Sequence, residues 1–250
     1  MPRHPALGGG RIVLIGGSSG LGLATALAAA ESGAGVVIAA RDGARLEGAR
    51  AKIAAIGRTP VEAHVLDASD ERAVAAFFGR IGGFDHLANF VTAAPDQAVR
   101  AGMGLFADTT QDVLEAVFRN KFWSQIFTVR HALGRVRRSI VFVTGQAHRK
   151  SLPSYTAAAA ADGAIEALAR GLALELAPLR INVVAPGLIA TPLMATLPAA
   201  VKAAFDTRTQ AQPVPRMGAP EEIADAILWL MGNDYATGAV LEIDGGYKLT

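Results

Sequence analysis

A glycine-rich loop near the start of the chain carries the residue types that bind a phosphate group. The segment Ile15-Gly-Gly-Ser-Ser-Gly-Leu-Gly22 follows a short apolar run and opens a stretch rich in Ala and Leu. Its glycines permit a tight turn, close approach of the backbone to a pyrophosphate and close packing of a following helix, whose first N–H groups then face the anion. A glycine-rich turn without a ligand is the alternative. The loop residues predicted to bind a dinucleotide are Gly16, Ser18, Ser19, Gly20, Leu21 and Gly22.

Arg41 indicates which dinucleotide the loop would bind. It lies roughly twenty residues beyond the loop, where an acidic residue would bind the ribose 2′-hydroxyl of NAD and repel the extra phosphate of NADP. Here the preceding residue is the uncharged Ala40, and Arg41 can offer its guanidinium to a phosphate. Asp42 argues against this, but we interpret it as the N-cap of the next helix. The sequence therefore predicts NADP(H) as the cofactor, with an ordinary surface arginine as the alternative.

Short apolar runs alternate with helical stretches along the whole chain, and these elements must position the loop. The alternation predicts an α/β fold: a single Rossmann-type, doubly wound domain over residues 1–250, with a central parallel sheet of about seven strands and helices on both faces. The predicted strands are 11–15, 36–40, 61–66, 84–90, 140–143, 181–184 and 240–243. The predicted helices are 20–32, a charged stretch ending at 57, 69–81 with Ser69 as N-cap, 111–133, 154–177 and one that begins at Pro220.

The segment 188–217 breaks the alternation, since it is rich in proline and apolar residues. Sequence on both sides belongs to the same predicted sheet, so we interpret the segment as a lid over a cleft. Its apolar residues favour a small or medium-sized apolar substrate, although they could equally pack on the domain. These residues are Leu193, Met194, Leu197, Val201 and Phe205.

Almost the whole chain resembles the short-chain dehydrogenase/reductase family. Beside the glycine spacing, the matching positions are Asp67-Ala68 after the third strand, Asn89 before Phe90-Val91-Thr92, Asn120 in the long helix, Pro186-Gly187 with Thr191, and Asp244-Gly245-Gly246. The resemblance implies a Rossmann fold and a nicotinamide cofactor. The further cofactor contacts that it implies are Asp67, Ala68, Asn89, Phe90, Val91, Pro186, Gly187, Ile189 and Thr191.

The same resemblance implies a catalytic centre, from which this chain departs at two positions. Tyr155 stands where the family has its general acid or base, and Asn120 where a residue orders a helix kink and a water. The lysine that the family places four residues after the tyrosine is Ala159, and the serine that ends the fifth strand is Gly145. Thr144, the preceding residue, is the candidate substrate contact in its place.

The segment between Gly145 and Tyr155 is shorter than the family pattern, so other residues compete for the missing roles. Ser151 and Ser154 are weaker stand-ins for the serine. The run His148-Arg149-Lys150 brings charge into this loop and could supply a proton relay, whereas a solvated loop is the plainer interpretation.

Composition excludes several classes of function. Of the 250 residues, 51% are hydrophobic and 18% charged, which disfavours disorder. The net charge is only +2, and the densest basic cluster (Arg135, Arg137 and Arg138) reads as a solvated loop before a strand, so no nucleic-acid partner is expected. The chain has no cysteine, which excludes disulfides and thiolate metal sites, and we predict no metal.

No segment predicts export or a membrane span. Residues 1–10 lack the apolar stretch of a secretory signal. The apolar stretch 155–177 carries charges at near-helical spacing, as in an amphipathic helix. We therefore expect a cytoplasmic protein without a membrane partner. The charged positions in that stretch are Asp162, Glu166, Arg170 and Glu175.

Together these features predict an NADP(H)-dependent oxidoreductase acting on a small carbonyl or alcohol, or on an activated double bond. A non-catalytic NADP(H)-binding sensor or partner subunit is the main alternative, and an isomerase or lyase a further one. A homodimer or homotetramer is expected, because the stretch 111–133 carries more large apolar side chains than one face against a sheet requires. Those side chains are Leu114, Phe118, Phe122, Trp123, Ile126 and Phe127.

Overall fold

The chain folds around one parallel sheet of seven strands. A computed structural model describes residues 4–56, 59–92, 105–197 and 199–250. The strands are β1 (Arg11–Ile15), β2 (Gly35–Ala40), β3 (Val61–Val65), β4 (Phe84–Asn89), β5 (Val136–Val143), β6 (Arg180–Pro186) and β7 (Val240–Ile243). They lie in the order β3-β2-β1-β4-β5-β6-β7, and every neighbouring pair is parallel. The predicted α/β fold class is confirmed.

Helices connect the strands and cover both faces of the sheet. They are α1 (Gly20–Glu31), α2 (Gly43–Ile56), α3 (Glu71–Arg80), α4 (Gln111–Phe118), α5 (Ser124–Ala132), α6 (Thr156–Glu175), α7 (Pro192–Ala195), α8 (Ala199–Ala211) and α9 (Pro220–Gly232). Short 3-10 turns lie at Pro5–Leu7, Phe106–Asp108 and Tyr247–Leu249. None of the described helices is long and apolar enough to cross a membrane.

The core has two halves, one on each face of the sheet. Along β1, Ile12 and Leu14 point into the half that contains α1 and α9, whereas Val13 and Ile15 point into the half that contains α3, α5 and α6. All four side chains are buried. Alternate residues of a strand face opposite sides, so a strand between two helical layers must be apolar throughout. This explains why β1 is apolar throughout after Arg11.

The strand order reverses between β1 and β4. The chain runs from β1 outward through β2 and β3, then crosses to β4 and continues outward to β7. In open parallel sheets the loops on the two sides of such a point diverge and leave a crevice at the carboxyl ends of the strands. The glycine-rich loop follows β1 directly, so it lies at this crevice.

Strand β5 begins four residues earlier than the apolar run indicates. Arg137 and Arg138 belong to it, so the interpretation of this cluster as a solvated loop is wrong. Val136 pairs with Phe84 in β4. Arg138 Nη2 donates to Asp234 Oδ1 at 2.9 Å, so an ion pair accommodates its charge within a strand.

The predicted N-cap of α3 is off by one residue. Asp70, not Ser69, caps the helix: its Oδ1 accepts from the N–H groups of Arg72 at 2.9 Å and Ala73 at 3.2 Å. Ser69 instead donates to Asp67 Oδ1 through its N–H at 2.9 Å and its hydroxyl at 2.7 Å. Both residue types suit caps, and the turn after β3 decides between them.

Two other stretches differ from the prediction. The helix predicted over 111–133 is interrupted by a π-helical turn at Arg119–Trp123, which separates α4 from α5. The segment 188–217, read as irregular, contains the helices α7 and α8. Most of the chain between the predicted strand 84–90 and the predicted helix 111–133 lies outside the described residues.

Candidate functional site

The glycine-rich loop has the shape of a phosphate cradle. Gly16 has φ +88° and Gly20 φ +51°, conformations that favour glycine. A Cβ on Gly22 would lie 2.2 Å from Gly16 O, so only glycine lets α1 pack this closely on the loop. Ser19, the N-cap of α1, makes no capping bond with its side chain. The first N–H groups of α1 therefore have no side-chain cap, as an anion site at a helix N-terminus requires.

Residues from distant parts of the chain border this loop. Phe90 follows β4, and its Cβ lies 3.2 Å from the position of a Cβ on Gly16. Thr191 Cγ2 lies 3.5 Å from the corresponding position on Gly20. Ser18 is buried within the loop. A dinucleotide on the loop would thus meet residues from the ends of β4 and β6, as the matching positions imply.

The ends of β6 and β7 touch through their backbones. A Cβ on Gly187 would lie 2.8 Å from Asp244 Cα. Gly246 has φ +82°, and its Cβ would lie 2.6 Å from Pro213 Cγ. Ile189, two residues beyond Gly187, is buried and forms a bridge with Gly218. The Ile189–Gly218 bridge therefore draws the two ends of the lid segment together, and the contact at Gly246 joins the second end to the sheet.

Arg41 is exposed directly after β2, on the same edge of the sheet. Within the described residues it makes no hydrogen bond or ion pair, so its guanidinium is available to a ligand. Asp42 Oδ1 accepts from the N–H of Arg45 at 2.9 Å, which is the bond of an N-cap at the start of α2. The carboxylate that would oppose a phosphate is thus engaged with the helix.

Two residues implied as cofactor contacts have internal roles in the structure. Asn89 is buried; its Nδ2 donates to Thr128 Oγ1 at 2.9 Å, and its Oδ1 accepts from the N–H of Val91 at 2.8 Å. Asp67 Oδ1 is bonded to Ser69. Asn89 therefore fixes the end of β4 against α5. The adjoining Ala68 is buried as well.

Tyr155 precedes α6 and lies under the lid. Its ring is 6.4 Å from that of Phe205 on α8, centroid to centroid. Its hydroxyl is buried and has no hydrogen-bond partner among the described residues. Burial raises the pKa of Tyr155 above its ordinary value, and the positive charge of Arg208 only partly opposes this. The phenol therefore stays protonated at neutral pH and is suited to donate a proton rather than accept one.

Asp162 lies next to Ala159 and Gly145, the two positions where this chain departs from the family's catalytic residues. It lies on α6, seven residues after Tyr155 and three after Ala159, which places all three on one side of the helix. Its Oδ2 lies 3.2 Å from the position of a Cβ on Gly145. A carboxylate therefore borders the space into which a serine at 145 would point.

Lys121 pairs with this carboxylate. It lies in the π-helical turn next to Asn120, and its Nζ is 2.7 Å from Asp162 Oδ1. Both side chains are buried. Asn120 Nδ2 donates to Ala116 O at 2.8 Å, and the backbone carbonyl of Asn120 accepts from Ser124 Oγ at 2.7 Å. Asn120 thus lies in the π-helical turn, with the ion pair directly beside it.

The charged loop after β5 is not a solvated loop. Arg149 donates to both carboxylate oxygens of Glu166, at 2.7 and 2.5 Å. Glu166 Oε1 also lies 3.2 Å from His148 Nε2 and accepts from Thr144 Oγ1 at 3.3 Å. Glu166 is buried, so its charge is balanced by Arg149. Thr144, the predicted substrate contact, is thereby tied to α6.

Sequence reasoning missed the partners of these groups. Asp162 and Glu166 are both buried, whereas an amphipathic helix would expose them; Arg170 and Glu175 are exposed as expected. The available signal is the pair of acids four residues apart in a helix rich in Ala and Leu. Within the described ranges, no three His, Asp or Glu side chains converge in a way that could hold a metal ion.

Comparison with known proteins agrees with this architecture. Residues 16–248 match a family model described as enoyl-(acyl carrier protein) reductase. A cis-4-hydroxycyclohexanecarboxylate dehydrogenase from Sinomonas cyclohexanicum is 34% identical, over 94% of this chain and 95% of the relative.

Two solved structures are also similar. A small-chain dehydrogenase in complex with NADPH has 30% identity and a TM-score of 0.77, over 96% of this chain and 99% of that one. A short chain oxidoreductase from Pseudomonas aeruginosa PAO1, described as containing an atypical catalytic center, has 30% identity and a TM-score of 0.84, over 96% and 97%. With the fold, the glycine loop and these matches together, the chain belongs to the short-chain dehydrogenase/reductase family.

Proposed function

We propose that the chain is an NADP(H)-dependent oxidoreductase that reduces a carbonyl group or an activated double bond of a small molecule. The observation that carries the choice of cofactor is the Arg41 guanidinium after β2, which has no partner among the described residues, with Asp42 engaged at the start of α2. A neutral residue and a free arginine at this position favour the 2′-phosphate of NADP. The NADPH complex of the similar small-chain dehydrogenase supports the same choice.

Residues of this chain would contact the pyrophosphate, the 2′-phosphate and the nicotinamide end of the cofactor. The N–H groups at the start of α1 bind the pyrophosphate, and Arg41 binds the 2′-phosphate. Phe90, Thr191 and the backbone at Gly187 border the nicotinamide end. When bound, the nicotinamide supplies the hydride that reduces the substrate.

Tyr155 would give the proton that completes the reduction. Its hydroxyl hydrogen passes to the carbonyl oxygen, which becomes a hydroxyl, and water restores the phenol. Because burial raises its pKa, the protonated form dominates at neutral pH. This favours donation in the reductive direction over proton removal from an alcohol. The lack of a lysine at Ala159 costs the reaction a cation beside the phenol, so turnover of simple ketones should be slow.

Titration tests the cofactor assignment. The dissociation constants of NADPH and NADH are measured by isothermal calorimetry for the wild type, Arg41→Ala and Arg45→Ala, the last as a neighbouring control whose side chain faces Asp42. Arg41→Ala should weaken NADPH binding about 10- to 100-fold, as expected for loss of a charged hydrogen bond, and leave NADH binding nearly unchanged. Equal affinities of the wild type for both would contradict the proposal.

Turnover tests the reaction. NADPH oxidation is followed with a panel of ketones, aldehydes and activated alkenes for the wild type and Tyr155→Phe. The proposal expects slow but measurable turnover that falls roughly 100-fold or more in the variant. Tight NADPH binding without any turnover would favour a sensor or partner subunit instead, and turnover unchanged in Tyr155→Phe would assign the proton to another residue.

We also propose that the protein forms a homodimer or homotetramer through α4 and α5. None of the six large apolar side chains predicted from 111–133 is fully buried: five are half-buried, and Trp123 is 46% exposed. Their rings form a continuous row, with Trp123 stacked on Phe127 at 5.7 Å. An apolar groove of about 660 Å³ runs between this row and the start of α3. A second copy would cover this surface. The cytoplasmic location stays a prediction.

A further inference from the structure

Gly145 borders an open space at the carboxyl end of β5. The glycine is partly exposed, whereas Thr144 before it and Gln146 after it are buried. Chain neighbours aside, Asp162 Oδ2 at 3.2 Å is the only atom of the described residues within 4 Å of a Cβ placed on Gly145. Because all strands are parallel, this end of β5 lies on the same edge of the sheet as the glycine-rich loop. A carboxylate oxygen therefore faces open space on the edge where the cofactor would bind.

That oxygen is available to accept a hydrogen bond. The Asp162 side chain is 2% exposed, so it is almost completely withdrawn from water. Its Oδ1 lies 2.7 Å from Lys121 Nζ, but no hydrogen bond from any residue that the structure describes reaches Oδ2. Beside an ammonium, Asp162 is a carboxylate, which accepts hydrogen bonds and donates none. A ligand that complements Oδ2 is therefore a hydrogen-bond donor.

The charges around this carboxylate are already balanced. Lys121 neutralises Asp162, and the next acid on α6, Glu166, has its own cation, because Arg149 donates to both of its oxygens. A cationic ligand at Oδ2 would bring a further positive charge into a site withdrawn from water, which is unfavourable. A neutral donor gains a hydrogen bond to a charged group without that penalty. A hydroxyl group meets both requirements.

Asp162 and Tyr155 would contact different parts of a substrate. Asp162 comes seven residues after Tyr155, so the two Cα atoms lie roughly 10 Å apart along the axis of α6. Tyr155 packs against Phe205 of the lid, whereas Asp162 faces Gly145. A hydroxyl on Asp162 is therefore a second group, separate from the carbonyl that Tyr155 would protonate. At the position where the family has a serine hydroxyl, this chain offers an acceptor instead.

We propose that Asp162 Oδ2 binds a hydroxyl group of the substrate, so that the enzyme selects carbonyl compounds that also carry a hydroxyl. This rests on the proposed function, since it names the substrate class of that reduction. Gly145 leaves room for the hydroxyl, and Lys121 holds the carboxylate in its charged form. A hydrogen bond to such a carboxylate should favour the hydroxyl compound about 10- to 100-fold.

Turnover of matched ketones tests the proposal. The 2-, 3- and 4-hydroxycyclohexanones are each compared with their methyl ethers, which cannot donate, and kcat/KM with NADPH is measured for the wild type and its variants. Gly145→Ser supplies an internal hydroxyl to Oδ2 and keeps the ion pair. Lys121→Met combined with Asp162→Leu removes the acceptor together with both charges. Glu175→Gln, which removes an exposed carboxylate from the same helix, is the control.

Binding is measured as well, so that the result does not depend on turnover. Calorimetry with the NADP⁺-loaded protein compares 1-methylcyclohexanol, its methyl ether and 1-methylcyclohexylamine. None of the three has a hydrogen on the substituted carbon that could leave as hydride. The dissociation constant of NADPH is determined for each variant, because the ribose rings of the cofactor also carry hydroxyl groups.

The proposal expects the wild type to prefer at least one hydroxy ketone over its ether, and the alcohol over both the ether and the amine. Gly145→Ser and the double variant should lose most of this preference, and Glu175→Gln should keep it. Equal use of hydroxy ketones and ethers by the wild type, tighter binding of the amine, or a preference that survives in both variants overturns it.

The remaining outcomes separate the cofactor and the proposed function from this inference. NADPH binding that weakens in both variants while the hydroxyl preference stays assigns the acceptor to the cofactor and overturns the proposal. Preferential binding of the alcohol by a protein that turns nothing over leaves this inference standing and removes the proposed function.

Discussion

Lys121 Nζ and Asp162 Oδ1 lie 2.7 Å apart between the π-helical turn and α6, and both side chains are buried. An ion pair withdrawn from water in this way adds little net stability compared with apolar side chains of similar volume, because both charges lose their hydration. Its position beside Asn120 and Gly145 places it at the altered catalytic centre. We therefore expect it to fix local geometry there.

Removing one partner of the ion pair should lower the free energy of unfolding far more than removing both partners. Lys121→Met leaves the Asp162 carboxylate buried and alone, so the free energy of unfolding should fall by about 3–5 kcal/mol. Lys121→Met combined with Asp162→Leu removes both charges and should recover most of that loss. Urea denaturation of both variants measures this. If the double variant is as unstable as the single one, packing and not charge explains the effect.

Restoring the family's catalytic residues should help unequally. Ala159→Lys places an ammonium one helical turn from Tyr155 and should raise carbonyl turnover at least about tenfold. A hydroxyl introduced by Gly145→Ser would lie next to Asp162 Oδ2, 3.2 Å from the new Cβ, and should donate to that carboxylate instead of the substrate.

We therefore expect Gly145→Ser alone to have the smaller effect. NADPH consumption by both variants and their combination, each with and without Tyr155→Phe, measures this. A larger gain from Gly145→Ser would show that Asp162 does not capture the hydroxyl.

His86 should make the protein sensitive to acid. It is buried with Nδ1 2.8 Å from Ser139 Oγ, and burial, followed by the Arg138 charge, lowers its pKa to about 4. Between the unfolded value near 6.5 and the folded value, only the unfolded state takes up the proton. Stability should therefore fall by about 3 kcal/mol as the pH drops from about 6.5 to 4.

The His86→Gln variant isolates this contribution, since it keeps a hydrogen-bonding side chain that does not titrate. Chemical denaturation at several pH values should show a shallower decline for His86→Gln than for the wild type. The control is His131→Gln, on α5, which should retain the full slope. Identical slopes in wild type and His86→Gln would contradict the assignment.

The apolar row on α4 and α5 should hold copies together. Trp123→Glu places a charge in its centre and should shift the protein toward a single-chain mass. Tyr235→Glu, at a residue 98% exposed, should leave the assembly intact. Light scattering at micromolar concentration decides: a wild type with the mass of one chain would refute the proposed oligomer.

Local patterns predicted the frame of this protein well and its polar interior poorly. The seven strands follow from apolar runs, and the glycine loop follows from spacing, because both depend on neighbours in sequence. The start of β5 at Val136 cannot be predicted in this way, since pairing with β4 determines it. Local patterns also do not show that Asp70, and not Ser69, caps α3, because both residues suit the role.

The candidate site, too, could be predicted only where it depends on neighbours in sequence. Arg41 could be placed from its distance to the glycine loop, and the loss of the lysine at Ala159 could be read directly. The partners of Asp162 and Glu166 come from other elements, and only tertiary packing shows that these acids face inward.

The close contacts at Gly187 and Gly246 bear on how a substrate would enter the cleft. Gly246 abuts the ring of Pro213, just after α8, while Gly187 abuts Asp244, so the far end of the lid packs directly on the end of the sheet. We therefore expect the cover to open first at α7, where Leu193 is exposed. A substrate that enters the cleft should therefore pass the exposed Leu193. A bulkier residue there should slow substrate entry and product release without changing the chemical step.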